Sequence, residues 1–442
     1  MKILFISLGC DKNLVDSEKM LGLLNGRGYT ITDDETEADV IVINTCCFIN
    51  DAKEESIQSI LEMAEYRKSG SCKALIVTGC LAQRYKQEIM DEIEEVDAVL
   101  GTTSYDKIAE TIQEVLEGRE HFQVFEQIDR LARPEGKRLL TTGGHYAYLK
   151  IAEGCDKHCT YCIIPKVRGN YRSVPMEELL AEAESLAQDG VKELILVAQE
   201  TTLYGKDLYG EKSLHKLIRG LCRISGLRWI RVMYCYPEEI YDELIQTMKE
   251  EPKFCHYLDL PIQHASNVIL KRMGRRTTKE DLKEIIERLR EQIPDIILRT
   301  TLITGFPGET KEQHEELMEF IDEMEFNRLG VFPYSPEENT SAAVMPDQVP
   351  EDVKKERQEE LMELQQEVAF DLADEMVGKT VIAMVEGQVS GEDAYVARTY
   401  GDAPGVDGYL FIHTDEILMS GDFCRVKITG ACEYDLIGEL EK

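Results

Sequence analysis

The sequence predicts an α/β protein in three parts: a parallel-sheet N-terminal domain over residues 1–117, a complete or partial (β/α) barrel over 141–371, and a small antiparallel β-barrel over 374–442. Three observations carry this reading. Short continuous apolar segments alternate with amphipathic helical stretches as far as residue 332, the pattern of parallel strands joined by right-handed helical crossovers. A polar segment at 129–144, holding Pro134, Gly136 and the Gly143-Gly144 pair, divides that alternation in two. Beyond Gly378 the apolar period becomes two, with Gly, Asp and Pro turns between the runs.

In the N-terminal part, strands are expected at 3–7, 40–44, 74–78 and 98–100, with helices beginning near Asp16, Asp51, Arg84 and Tyr105. From His145 onward, strands are expected at 146–151, 193–197, 229–234, 257–260, 296–303 and 329–332. Helices such as 176–188, 238–250, 279–291 and 311–324 lie between them. Six such units in about 190 residues suit a complete or partial barrel of TIM type. After Pro350 an amphipathic helix carries Val353, Leu361, Leu364, Val368 and Leu372 at helical spacing, and Gly378 is placed to end it. Period-two runs at 381–385, 395–398, 408–412 and 423–428 then build the small closed barrel.

The chain of 442 residues carries 84 Asp+Glu against 50 Lys+Arg, a formal net charge of −34. A field of that sign repels polyanions and attracts a basic partner, which excludes a protein that coats nucleic acid. The stretch 376–442 has 12 acidic and 5 basic residues, so the small barrel is itself at −7 and RNA is not its expected ligand. A composition of 43% hydrophobic and 7% aromatic residues is that of a folded chain. The longest apolar run, 40–49, falls well short of the roughly 18–20 residues a membrane span requires, so no membrane partner is expected. The apolar stretch before Cys10 is too brief for a signal peptide, and Asp11 and Lys12 follow at once. The expected compartment is therefore the cytoplasm, where thiols stay reduced. There, 13 cysteines point to metal or redox chemistry ahead of disulfides.

Cys155, Cys159 and Cys162 form C-x-x-x-C-x-x-C directly after the first expected barrel strand, in a loop at the catalytic end of such a barrel. Three thiolates so spaced can hold a cubane iron–sulfur cluster whose fourth iron lacks a protein ligand and can bind a small molecule. The alternative is a zinc site with His158 or His145 as fourth ligand, but structural zinc normally uses paired clusters and no second C-x-x-C occurs. Cys10, Cys46 and Cys80 each stand just beyond the end of an apolar strand. In a parallel sheet those positions share the carboxyl edge, where ligands bind, so three thiols converge on one crevice. The alternative is three small buried hydrophobes. Cys47 is ambiguous beside Cys46, Cys72 reads as structural, and Cys222, Cys235, Cys255, Cys424 and Cys432 are expected in cores.

Weaker features leave two readings open. The turn from Ile303 to Thr310, with Gly305, Pro307 and Gly308, suits close approach of a nucleoside or is only a tight turn. Gln199 and Glu200 can bond a polar cofactor or simply end their strand. Arg168 and Arg172 can hold a cofactor or an acidic target side chain, or belong to a solvated loop. His264 reads as a core histidine supporting its neighbours, not as a ligand.

The motif of Cys155, Cys159 and Cys162 resembles that of the radical S-adenosylmethionine superfamily. The three spaced cysteines upstream and the small barrel downstream resemble its methylthiotransferase branch, whose barrel is TRAM-like, and the likeness covers essentially the whole chain. Ser7-Leu8-Gly9-Cys10-Asp11-Lys12-Asn13-Leu14-Val15-Asp16-Ser17-Glu18 is similar to the motif of the RimO type, which modifies a ribosomal protein. The tRNA-modifying MiaB type typically has Gln-Met-Asn after this cysteine. Residues 332–340 and 398–408 also resemble the RimO type, whereas Ser173-Val174 departs from a family that often continues with arginine after the position of Arg172.

The resemblance implies two [4Fe-4S] clusters and S-adenosylmethionine as cofactors. Cys155, Cys159 and Cys162 would hold the cluster whose open iron chelates S-adenosylmethionine, and one-electron reduction would release a 5′-deoxyadenosyl radical able to take hydrogen from an unactivated carbon. Cys10, Cys46 and Cys80 would hold an auxiliary cluster that delivers the methylthio group. No catalytic side chain beyond these ligands is expected. The implied substrate is the β-carbon of an aspartate in protein twelve of the small ribosomal subunit, a basic partner. The implied reductant is a flavodoxin or ferredoxin, and no direct tRNA binding is expected. A tRNA adenosine methylthiotransferase would instead predict a basic barrel and RNA retention on a salt gradient. An iron–sulfur electron carrier would need no S-adenosylmethionine.

Overall fold

The computed structural model describes residues 1–69 and 72–441. They form two compact units: residues 1–141, 152–174 and 335–343 make the first, and 142–151, 175–334 and 344–442 the second. The stretches 152–174 and 335–343, expected inside the barrel domain at 141–371, thus pack with the N-terminal sheet.

The first unit is built on six parallel strands in the order Thr30–Thr32, Lys2–Ser7, Val40–Thr45, Ala74–Gly79, Ala98–Leu100, Phe122–Val124. Val40–Thr45 and Ala74–Gly79 are buried at every position because helices cover both faces. Alternate residues feed separate cores, with Ile41, Ile43, Leu75 and Val77 on one face and Val40, Val42, Ala74 and Ile76 on the other. The edge strands Thr30–Thr32 and Phe122–Val124 were not expected; three residues each are too few to show a period.

Two helices begin earlier than the expected starts at Asp16 and Arg84, at Asp11–Gly26 and Cys80–Glu92. The first turn of Asp11–Gly26 is largely polar, so its apolar pattern starts late, whereas Cys80, Leu81 and Ala82 continue the apolar run of the strand before them and hide the start of the second helix. The backbone signal is instead Gly9 (φ +87°) and Gly79 (φ +94°), whose positive φ turns the chain from strand to helix, over residues 8–10 in the first case and at once in the second.

The second unit carries an open six-stranded parallel sheet, Tyr146–Lys150, Glu193–Val197, Trp229–Val232, Phe254–Asp259, Ile297–Thr304 and Arg328–Pro333, with each strand beside its predecessor. Of the two expected forms this is the partial one. The long helix Glu351–Asp374 ends before Gly378, and its buried face is Lys354, Arg357, Leu361, Gln365 and Ala369; only Leu361 of the five expected apolar positions belongs to it. The reason is the surface it covers. Lys354 Nζ donates to Tyr334 O, Gln358 Nε2 to Val331 O and Gln365 Nε2 to Phe326 O, each at 2.8 Å, satisfying carbonyls around the last strand.

The C-terminal module is a closed five-stranded barrel, Thr380–Gln388, Ala394–Thr399, Leu410–His413, Asp435–Leu440 and Phe423–Cys432 in order around it. One pair, Leu410–His413 with Asp435–Leu440, is parallel, so closure departs from the wholly antiparallel expectation at that seam. Met384 and Ala403 of this barrel pack into the sheet face that carries Ile195, Val197, Trp229, Cys255 and Tyr257, and Trp229 meets Phe423 edge-on at 4.8 Å. Among the described residues, no helix is long and apolar enough to cross a membrane.

Candidate cysteine site

Strand order in the first sheet reverses between Lys2–Ser7 and Val40–Thr45, and the crevice at such a switch point is where open α/β sheets bind ligands. Cys10 is the N-cap residue of its helix, Cys46 follows the neighbouring strand, and Cys80 is the first residue of the helix after the next. In register, Ser7 pairs with Asn44 and Thr45 with Gly79, so the three cysteines reach the same level of the carboxyl edge. The approach is close enough to demand glycine. A Cβ on Gly9 would lie 2.7 Å from Cys46 Sγ, and one on Gly79 would lie 2.4 Å from Thr45 O.

Burial, followed by the neighbouring Cys80 and Cys10, pushes the Cys46 thiol up to about 12. Burial raises Cys80 too, with Arg168 pulling the other way. Thiols so raised are protonated when free, and a metal must displace those protons to bind. Ser56 Oγ clamps Cys46 from both sides, accepting from its N–H at 3.0 Å and donating to its carbonyl at 2.9 Å.

A two-stranded ribbon, Ala152–Glu153 with Arg172–Ser173, brackets the loop of the other three cysteines. Cys155 N–H donates to Gly169 O at 3.1 Å and Cys162 N–H to Cys159 O at 3.0 Å, which fixes both ends of the loop. Cys155 and Cys159 are buried and Cys162 is half-buried. Burial, then Cys159 and Cys155, drives the Cys162 thiol up. The loop is anchored to the first unit by Ile163 and Val167, which enter the core beside Leu81 and Cys80, and by Thr102 Oγ1 donating to Val167 O at 2.7 Å.

All thirteen cysteines are free thiols. Among the described residues, no three His, Cys, Asp or Glu side chains stand as ligands of one metal ion. Each trio offers three free thiols, the donor type from which a protein holds an iron–sulfur cluster.

Arg168 is not the solvated-loop residue that one of its expectations allowed. Its side chain is 2% exposed and bonds to Cys80, Asp16, Glu153 and Asn13. Arg172 Nη1 donates to the carbonyl of Arg168 at 3.1 Å. Asn13 also donates to Leu8 O at 2.6 Å and accepts, through its carbonyl, from Asn44 Nδ2 at 3.0 Å. Sequence reasoning missed Asn13, Asp16, Ser17 and Ser56. A signal was present: Asn13, Asp16 and Ser17, at i, i+3 and i+4, make a polar stripe on one helix face.

Segment 335–343 completes the unit. Glu337 Oε2 accepts from Arg84 Nη1 at 2.8 Å and Lys53 Nζ at 3.2 Å, and Ala342 N–H donates to Thr160 O at 2.8 Å within the cysteine loop.

In the second unit the turn at Gly305 and Gly308 is filled by the chain itself. A Cβ on Gly305 would lie 2.2 Å from Lys354 Cγ, and one on Gly308 would lie 2.5 Å from the Arg272 guanidinium. His264 is fully buried and its Nδ1 accepts from the N–H groups of Ala265 and Ser266 at 3.0 and 2.9 Å, as a core histidine would. Cys432, expected in a core, is exposed, because it borders the tight turn opposite Asp435.

Residues 2–101 match the family described as uncharacterized protein family UPF0004, residues 149–321 the radical SAM superfamily, and residues 377–440 the TRAM domain. The "Ribosomal protein uS12 methylthiotransferase RimO" of Lachnoclostridium phytofermentans is 64% identical over 100% of both chains. That of Clostridium botulinum is 51% identical over 99% of this chain and 98% of its own, and that of Clostridioides difficile 48% over 100% and 99%. Among solved structures, the radical S-adenosylmethionine methyltransferase TsrM from Kitasatospora setae has a TM-score of 0.58 at 14% identity, covering 78% of this chain and 74% of that one. That likeness shows the shared fold. Membership of the radical superfamily implies S-adenosylmethionine and a [4Fe-4S] cluster as cofactors, and the full-length identity makes this protein an enzyme, a methylthiotransferase. The chain belongs to the RimO family of radical S-adenosylmethionine methylthiotransferases.

Proposed function

We propose that this enzyme adds a methylthio group to the β-carbon of an aspartate of ribosomal protein uS12, in the cytoplasm, using two [4Fe-4S] clusters and S-adenosylmethionine. The observation that carries the two-cluster reading is the membership of both cysteine trios in one compact unit, although the chain separates them by most of a hundred residues. Cys155, Cys159 and Cys162 are assigned to the cluster that binds S-adenosylmethionine, and Cys10, Cys46 and Cys80 to the auxiliary one. The functional limits we assign are 1–117 for the auxiliary-cluster domain, 141–371 for the radical core and 374–442 for the TRAM-like barrel.

When bound, these groups supply a carbon-centred radical and a sulfur donor, chemistry beyond any side-chain acid or base. The chain's own residues hold and shield. Asn13 and Ser56 fix the strand ends that carry Cys10 and Cys46, and Ile163 and Val167 bury the flank of the other loop away from water. The acidic chain, with its barrel at −7, steers a basic ribosomal protein towards the site and disfavours tRNA.

The test is mass spectrometry of uS12 and of tRNA from cells lacking this chain. The expected result is loss of methylthio from the uS12 aspartate with tRNA modification unchanged. Loss from tRNA with uS12 intact overturns the assignment in favour of the RNA-modifying reading.

A further inference from the structure

Burying a guanidinium is costly unless every N–H finds a partner. Arg168 ends a short helix, Ile164–Arg168, and is buried in the first unit. Its Nη1 donates to Asp16 Oδ2 at 2.7 Å and Glu153 Oε2 at 3.2 Å, and its Nη2 to Asn13 Oδ1 at 3.0 Å. Two carboxylates and an amide would have balanced the charge. Its Nε nevertheless points at a sulfur, donating to Cys80 Sγ at 3.3 Å.

The origin of the partners gives this arrangement its meaning. Asn13 and Asp16 lie on the helix that Cys10 caps, and Cys80 opens another. Glu153 precedes Cys155 by two residues, and Arg168 follows Cys162 by six. One planar group thus ties the strand-end cysteines to the loop of the other three, and it brings a full positive charge to the sulfur of Cys80.

We propose that Arg168 is a positioning residue for the auxiliary cluster, raising its reduction potential through the N–H bond to Cys80 and holding the two cysteine trios in fixed relation. This rests on the reading of Cys80 as a cluster ligand. Reduction adds one electron to a cluster and its thiolates, and a cation with an N–H aimed at a ligating sulfur favours that added negative charge. A lysine retains the charge but lacks the rigid fork that reaches sulfur, amide and two carboxylates together.

The test uses the full chain with Cys155, Cys159 and Cys162 changed to alanine, reconstituted with iron and sulfide so that only the auxiliary cluster forms. Its potential is read by EPR during dithionite titration. Adding Arg168→Gln is expected to lower the reduced-to-oxidised ratio about tenfold at fixed ambient potential, a shift of about 59 mV for one electron. Arg168→Lys is expected to fall between the two, and supplies the comparison should the glutamine variant not fold. A cluster whose potential is the same in the parent and in each variant that folds overturns this inference alone. No cluster at all in the parent overturns the two-cluster reading, and this inference with it.

Discussion

Glu193 and Arg398, 205 residues apart in the chain and both wholly excluded from solvent, are joined by a 2.8 Å bond from Arg398 Nη2 to Glu193 Oε2. The other carboxylate oxygen accepts from Arg231 Nε, also at 2.8 Å. Arg398 belongs to the small barrel and Glu193 to the second strand of the open sheet, so this triad is a fully buried polar link in a joint, within one unit, that also holds the apolar cluster around Trp229 and the ion pair of Arg328 with Asp402. Burial pushes the Glu193 carboxyl up, but Arg398 and Arg231 outweigh it and hold it below the ordinary 4.5.

Glu193→Gln leaves two buried guanidinium groups undercompensated, and the expected loss is about 3–5 kcal/mol of unfolding free energy in urea. The pH dependence has a definite sign. A carboxyl depressed on folding stabilises above its unfolded value and ceases to do so as pH falls through the folded one. The gap between wild type and variant should therefore be full at neutral pH and narrow only below about pH 4. A gap that is constant down to pH 3 would contradict the triad's role.

The two cysteine trios should separate by assay. Alanine at Cys155, Cys159 or Cys162 is expected to abolish both 5′-deoxyadenosine formation and methylthio transfer. Alanine at Cys10, Cys46 or Cys80 should abolish transfer and leave 5′-deoxyadenosine formation measurable by chromatography. Transfer surviving in the second set would remove the auxiliary-cluster assignment.

Gly22 offers a case where magnitudes decide a sign. In an exposed helix Gly→Ala stabilises by up to about 1 kcal/mol. Here a Cβ would lie 2.1 Å from Lys137 O and 3.0 Å from Arg138 Cα, where Arg138 is bound through its Nε to the buried Glu18 at 2.7 Å. Backbone cannot yield as a flexible side chain can, so Gly22→Ala is expected to destabilise by about 1–3 kcal/mol. Thermal melts of the two proteins check it.

Lys354→Met should cost about 1–3 kcal/mol, because it removes the donor that satisfies Tyr334 O beneath the long helix. If packing of the aliphatic stem were the whole of the lysine's contribution, the methionine variant would instead melt with the wild type.

Much of this architecture was legible because parallel strands buried on both faces are written as unbroken apolar runs, as in Val40–Thr45 and Ala74–Gly79. The convergence of Cys10, Cys46 and Cys80 was legible because strand ends in such a sheet share an edge, whereas Cys155, Cys159 and Cys162 stood out by their local spacing. The long helix was misread on its facing side, since Lys354, Arg357 and Gln365 are buried to meet carbonyls and a carboxylate that only the folded chain brings near. Arg168 was illegible for the same reason. Its partners Asn13 and Asp16 lie about 150 residues away, and no local period announces a bond that tertiary structure creates.

The closing segment 335–343 has a consequence for how the protein is made. Glu337 completes an ion pair with Arg84 across 253 residues of chain, so the first unit cannot finish folding when its sheet leaves the ribosome. At about 5–20 residues per second the missing piece arrives roughly 10–50 s later. During that interval the sheet edge that carries Cys10, Cys46 and Cys80 lacks part of its final surroundings, a delay that a contiguous domain would not have.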